Sequence, residues 1–149
     1  MVNAALQDAN AEIIRRSAID AENRGMATTL TAVYLTHEKC YFGHAGDSRC
    51  YLIRDNSIEL ITRDQSIGRV LQQAVGADPR LLPVSGERDL KSGDRVLICS
   101  DGLWNAVDDS SILKIVRKKR NLAEACDELV KEANRKGGND NISMGIARV

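Results

Sequence analysis

"VLICSDGLW", residues 96–104, decides how this chain is read. Four apolar residues in succession predict a buried strand, and that strand runs directly into Ser100-Asp101-Gly102. A carboxylate at the end of a core element needs a reason. One is turn chemistry, in which glycine supplies a positive φ and the aspartate bonds local backbone. The other is that the strand holds Asp101 in place as a ligand. "NDNISM", residues 139–144, mirrors the arrangement, with Asp140 just before another predicted strand. If the two strands are antiparallel neighbours, the end of one meets the start of the other and the carboxylates face each other across one rim. Carboxylates that close repel unless a proton or cation lies between them. Oxygen-only ligands on strand ends suit a hard divalent ion such as Mg²⁺ or Mn²⁺. Spacing alone leaves both readings open. Asp64 in "LITRDQS" and Asp47 in "HAGDSR" are two further acids at predicted strand ends, each ordinary for a turn when taken singly.

Working outward, residues 4–24 predict a helix, with Leu6, Ala9, Ile13 and Ser17 at helical spacing and Gly25 to end it. "TTLTAVYLT" (28–36), "KCYFGHAG" (39–46), "SRCYLIR" (48–54) and "SIELITR" (57–63) then read as an antiparallel meander of short strands. "SIGRVLQQAVG" (66–76) reads as a short helix ending at Gly76, followed by loop and one weak strand up to the buried run at 95–99. After Trp104 two helices follow. One carries Ile112, Ile115 and Val116 on a stripe; the other carries Leu122, Ala125, Cys126, Leu129, Val130 and Ala133, and Gly137-Gly138 stops it. A final strand closes the chain. The order α, a run of β, αα, β predicts an α+β fold with helices layered on antiparallel sheet.

At 149 residues one domain is expected. Lys plus Arg and Asp plus Glu are both 21, so no global field recruits nucleic acid or an anionic membrane. Cys40, Cys50, Cys99 and Cys126 lack C-x-x-C spacing and read as buried free thiols of a reducing compartment. No apolar run approaches the ~20 residues of a membrane span, and the first residues carry acids without a signal-type apolar core. A soluble cytoplasmic protein is the expectation. His37 and His44 read as surface or hairpin residues, "RKKR" (117–120) as a solvated helix end, and Trp104 as core packing beside the carboxylate rim. No Walker-type loop or dinucleotide fingerprint occurs.

"RGMATTL" (24–30), "AGDSRCYLIR" (45–54), "LITRDQS" (60–66), "VLICSDGLW" and "GGNDNISM" (137–144) occur together in an order that resembles the metal-dependent protein serine/threonine phosphatases, the PPM family, in their compact bacterial form. The resemblance implies an antiparallel β-sandwich with helices packed on its outer faces. It also implies two Mn²⁺ or Mg²⁺ ions, with a third, weaker site. A water activated by the ions attacks the phosphorus of a phosphoserine or phosphothreonine in a phosphoprotein substrate. By this resemblance Asp101 and Asp140 are metal ligands and Asp64 serves the third ion. Asp47 and Arg49 match an architectural turn, Gly102 accompanies Asp101, and Asn141 orients the ligand or its loop.

The chain departs from the family pattern in three ways. The family's first acidic motif, a strand with "ED" followed by "DGMGGH", has no counterpart here; Gln65 stands where His is usual; and Asn105 stands where many relatives carry Asp. Residues 1–149 are therefore expected to be one phosphatase domain missing its first strands, with a flap nearly deleted. Two functions stay open: a phosphatase, and a non-catalytic pseudophosphatase or interaction module of the same fold. A homodimer covering the open sheet is expected, with no nucleic-acid or membrane partner.

Overall fold

In a computed structural model, which describes residues 1–68 and 70–149, the elements in chain order are α1 (Val2–Ile19), β1 (Leu30–Leu35), β2 (Lys39–Ala45), β3 (Arg49–Arg54), β4 (Ser57–Leu60), β5 (Ser66–Ile67), β6 (Val70–Leu71), β7 (Val84–Asp89), β8 (Arg95–Cys99), α2 (Asp101–Trp104), α3 (Asp109–Lys118), α4 (Leu122–Arg135) and β9 (Met144–Arg148). Contacts divide them into two compact units: residues 1–48 with 63–90, and residues 49–62 with 91–149. The α+β class holds, since every strand pairing among these elements is antiparallel.

The first unit contains a three-stranded sheet in the order β1-β2-β7. Leu6 of α1, Ala45 of β2, Val75 and Leu81 form a buried cluster, against which Val2, Ala9, Ile13, Leu30 and Ala32 pack. Polar bonds from α1 add to this. Buried Asn10 donates through Nδ2 to the Asp78 carbonyl at 2.9 Å and accepts through Oδ1 from the Gly76 amide at 2.7 Å, and Gln7 donates to the Leu81 carbonyl at 3.0 Å.

The second unit contains a four-stranded sheet in the order β4-β3-β8-β9. The expected apolar stripes of α3 and α4 bury Ile112 and Val116, and Ala125, Leu129 and Ala133. Most of these join Tyr51, Ile53, Leu97, Cys99, Leu103 and Val107 in one core. Asp108 caps α3 by accepting from the Ser111 amide at 2.9 Å, and Asn121 caps α4 by accepting from the Ala123 amide at 2.9 Å. At the far end of the sheet, the Arg54 guanidinium grips the buried Asp94 carboxylate with two bonds of 2.8 and 2.6 Å and holds it below the usual carboxylate range.

Three expectations are corrected. The four strands from residue 28 to 63 do not form one meander: β1-β2 and β3-β4 belong to different sheets. Between them lies Gly46, with a φ of +115°, where a Cβ would meet the Thr29 side chain at 2.5 Å. Residues 66–76 are not a helix. β5 and β6 pair antiparallel, and Gly68 has a φ of +61°, which glycine adopts freely. Arg69, within that segment, lies outside the described residues. His44 is not a hairpin surface residue but sits in β2, fully buried. The cysteines are free thiols, with Cys40, Cys50 and Cys99 buried and Cys126 half-buried. No helix among the described residues is long and apolar enough to cross a membrane.

Candidate functional site

β8 and β9 are antiparallel neighbours, with Cys99 opposite Met144. Past that pair the two backbones stay joined. The Ser100 amide donates to the Ser143 carbonyl at 2.9 Å, while Ser100 Oγ accepts from the Ser143 amide at 3.0 Å and donates to the Asn141 carbonyl at 3.1 Å. The same Asn141 carbonyl lies against Gly102. A Cβ built on that glycine would meet it at 2.4 Å, so only glycine permits the approach. The start of α2 therefore rests directly on the Asn141 backbone, and the structure brings Asp101 and Asp140 to adjoining strand ends.

Both acids keep coordinating capacity. No hydrogen bond or ion pair engages the half-buried Asp101 carboxylate among the described residues. Exposed Asp140 accepts the Asn141 amide through Oδ1 at 2.7 Å. Asn141 thus supports the loop through its backbone. Sequence reasoning missed Ser100, which latches both strand ends; a hydroxyl at a strand-to-helix junction was its only signal.

Arg49 of β3 braces α2 from beside. Its guanidinium lies 3.7 Å from the centre of the Trp104 ring and donates to the Tyr51 hydroxyl at 3.1 Å. Burial raises the Tyr51 hydroxyl above the usual phenol range, against the opposing pull of Arg49. Burial likewise pushes the Cys99 thiol up to about 12, so it is inert as a nucleophile at neutral pH.

Asp47 and Asp64 belong to the first unit, where the turn at Gly46 is clamped by side chains. Gln65, adjacent to half-buried Asp64, accepts the Gly46 amide through Oε1 at 3.0 Å and returns its own amide to the Gly46 carbonyl at 2.7 Å; its Nε2 donates to the Leu82 carbonyl at 3.0 Å. His44 places Nε2 2.9 Å from the same Gly46 carbonyl and Nδ1 2.8 Å from the Thr31 hydroxyl. The carbonyl can only accept, so Nε2 carries the proton and Nδ1 receives the Thr31 hydroxyl. Gln65 therefore ties the segment carrying Asp64 to the turn carrying Asp47. Its contacts span 19 and 17 residues, beyond any periodic signal.

No group of three or more His, Cys, Asp or Glu gathers as a ready metal cage among the described residues. The Asp101–Asp140 pair still fits a hard divalent ion, which takes one or two carboxylates and keeps several waters. The pair offers oxygen donors only, on backbones fixed by the Ser100 latch.

The sequence profile of the family described as Stage II sporulation protein E (SpoIIE) matches residues 2–149. The serine/threonine protein phosphatase PstP of Mycobacterium tuberculosis is 31% identical over 99% of this chain and 32% of its own length. The serine/threonine phosphatase stp of Listeria monocytogenes is 30% identical over 93% of this chain and 63% of its own. The chain thus spans less than two thirds of either relative. The crystal structure of the M. tuberculosis serine/threonine phosphatase PstP/Ppp superposes with a TM-score of 0.90 at 30% identity, covering 99% of this chain and 70% of that one. The PstP catalytic domain in complex with two manganese ions superposes with a TM-score of 0.88 at 31% identity, covering 97% of this chain and 68% of that one. The chain belongs to the SpoIIE family and is a domain of the PP2C, or PPM, type.

Proposed function

We propose that residues 1–149 form part of a metal-dependent protein serine/threonine phosphatase that hydrolyses phosphoserine and phosphothreonine in phosphoproteins. The observation that carries this reading is the pair of carboxylates, Asp101 and Asp140, held on adjoining strand ends by Ser100 and the Gly102 contact. In this reading Asp101 and Asp140 hold Mn²⁺ or Mg²⁺, and Asp64 holds a third, weaker ion. Two such ions, when bound, lower the pKa of water and neutralise charge on phosphoryl oxygens. The chain's own work is positional. β8 fixes the Asp101 backbone, Arg49 and Trp104 brace α2, and the Asn141 amide donates to one Asp140 oxygen. Asp47 and Gln65 hold the turn beside Asp64.

The test is Mn²⁺-dependent hydrolysis of a phosphothreonine peptide by this chain, with Mn²⁺ binding followed by calorimetry. Asp101→Asn is expected to reduce turnover to background and weaken Mn²⁺ binding, with the circular dichroism unchanged. A second reading, a non-catalytic module of the same fold, draws on the fact that no group of three or more His, Cys, Asp or Glu gathers among the described residues. Absence of both turnover and Mn²⁺ binding in a folded chain selects it.

The same proposal places the protein in the cytoplasm, in phosphorylation signalling, without nucleic-acid or membrane partners. It also pairs two copies. Support comes from the first unit, where Ile67, Val70, Leu71 and Leu82 are exposed large apolar side chains. Light scattering that finds only monomer at high concentration removes the dimer from this proposal.

A further inference from the structure

We propose that the outward stripe of α3 is a docking surface for an acidic segment of a phosphoprotein partner. This deepens the phosphatase reading and rests on it only in taking a phosphoprotein as the partner. Ser110, Leu113, Lys114, Arg117 and Lys118 follow the i, i+3, i+4, i+7, i+8 spacing of one helix face and line an open groove of about 400 Å³. Five of the seven residues from Lys114 to Arg120 are cationic, in a chain whose formal net charge is zero.

The stripe's charges are exposed and uncommitted. Among the described residues, Lys114, Arg117 and Lys118 make no ion pair; of the nearby acids, Glu124 is engaged by Lys119, Glu132 by Arg135 and Lys136, and Asp108 by Lys136, while Glu128 borders the stripe without an ion pair. Like charges at i, i+3 and i, i+4 destabilise a helix. The helix dipole accounts for cations in the last turn, Arg117 and Lys118. Lys114 lies a turn earlier, outside that account, and the Val116 carbonyl already receives a bond from Arg95. An arrangement that costs the folded chain stability is explained when an anionic partner completes it.

The geometry selects a polypeptide among anions. Side chains three and four apart on a helix lie about 5–6 Å from one another. Alternate residues of an extended chain repeat at about 6.6 Å, so acids on one side of such a segment meet successive cations of the stripe. Lys114, Lys118 and Lys119 also border a second groove of about 280 Å³, whose other lining residues include Glu128 and Glu132 of α4. This mixed lining, three lysines beside two glutamates, suits a partner that itself carries mixed charge better than a uniformly anionic duplex or bilayer. A polypeptide can turn acids to the lysines and a neutral or basic face to the glutamates.

The test measures fluorescence anisotropy of a labelled peptide with alternating Glu residues, added to the full chain and to a Lys114→Glu/Arg117→Glu/Lys118→Glu variant. Binding by the wild type that weakens roughly tenfold or more in the variant, and falls as salt rises, is expected. All three positions are exposed, so circular dichroism of the variant should match the wild type. In turnover, the variant should lose kcat/KM for an acid-flanked phosphothreonine peptide and keep it for a neutral one. Equal affinity of variant and wild type, no peptide binding, or preferential binding of anionic vesicles or duplex DNA overturns the proposal. If the acidic peptide binds through the stripe while neither phosphopeptide is turned over, the docking surface stands and the phosphatase reading falls.

Discussion

Each unit has its own balance of apolar packing and polar bonds. In the second, α3 and α4 meet their sheet through buried aliphatic side chains, and β8 and β3 are buried along most of their length. In the first, α1 buries one leucine and one asparagine, β7 is almost wholly exposed, and helix and loop are joined by bonds from Asn10 and Gln7 to backbone groups. Apolar packing is non-directional and tolerates small shifts. A side-chain bond to a backbone group fixes one loop conformation and fails when its geometry is lost. The first unit carries the Asp64 and Asp47 turns on polar fastenings, while Asp101 and Asp140 stand at the end of a packed core.

The comparison is broken most directly by truncating one residue on each side. Leu129→Ala removes a fully buried side chain from the second unit, and a loss of about 2–5 kcal/mol in urea unfolding is expected. A loss under about 1 kcal/mol would mean the helices are loosely packed. Asn10→Ala removes both bonds to the 76–78 loop, at an expected cost of about 1–3 kcal/mol, and amide exchange should accelerate at Gly76. If Asn10→Leu restored full stability and protection, the apolar cluster around Leu6 would suffice to hold the 76–78 loop without the polar bonds, and the contrast would be wrong.

The same contrast explains what was legible in the sequence. "VLIC" named β8 because a buried strand writes itself as an apolar run, and the α3 and α4 stripes named their helices for the same reason. From strand order alone, Asp101 and Asp140 could be placed at one rim, since antiparallel neighbours must bring an end to a start. The 66–76 segment misled because Ile67, Val70 and Leu71 have helical spacing without being buried. That spacing records no packing: these residues pair as antiparallel strands instead, with Gly68 at a positive φ. The clamp of Gln65 and His44 on Gly46 left no trace, because a side chain bonding a backbone group far along the chain carries no periodicity. The β2-to-β3 change of sheet was hidden too, because the need for glycine at position 46 comes from Thr29, a residue distant along the chain.

The smallest expected effect sharpens the contrast through pH. Burial lowers the His44 pKa below 6.5, opposed by the accepting Gly46 carbonyl, the nearby Asp64 charge and the Arg63 carbonyl. The unfolded chain therefore takes up the proton first as pH falls. The stability that neutral His44 contributes is fully present above about pH 6.5 and declines as pH drops toward the folded-state pKa. A protonated ring keeps its Nε2 bond to Gly46 but can no longer accept from the Thr31 hydroxyl, so the loss falls on the β1–β2 pairing beneath the turn. Urea midpoints measured between about pH 7.5 and pH 5.5 should fall for the wild type and fall less for His44→Gln, which can still donate to Gly46 but does not titrate there. Amide exchange read alongside should place the extra opening in β1, β2 and the 46–48 turn, leaving β8 and α4 protected. Equal opening in both units would show that the polar clamp and the packed core share one cooperative transition, and that the difference between them is one of construction alone.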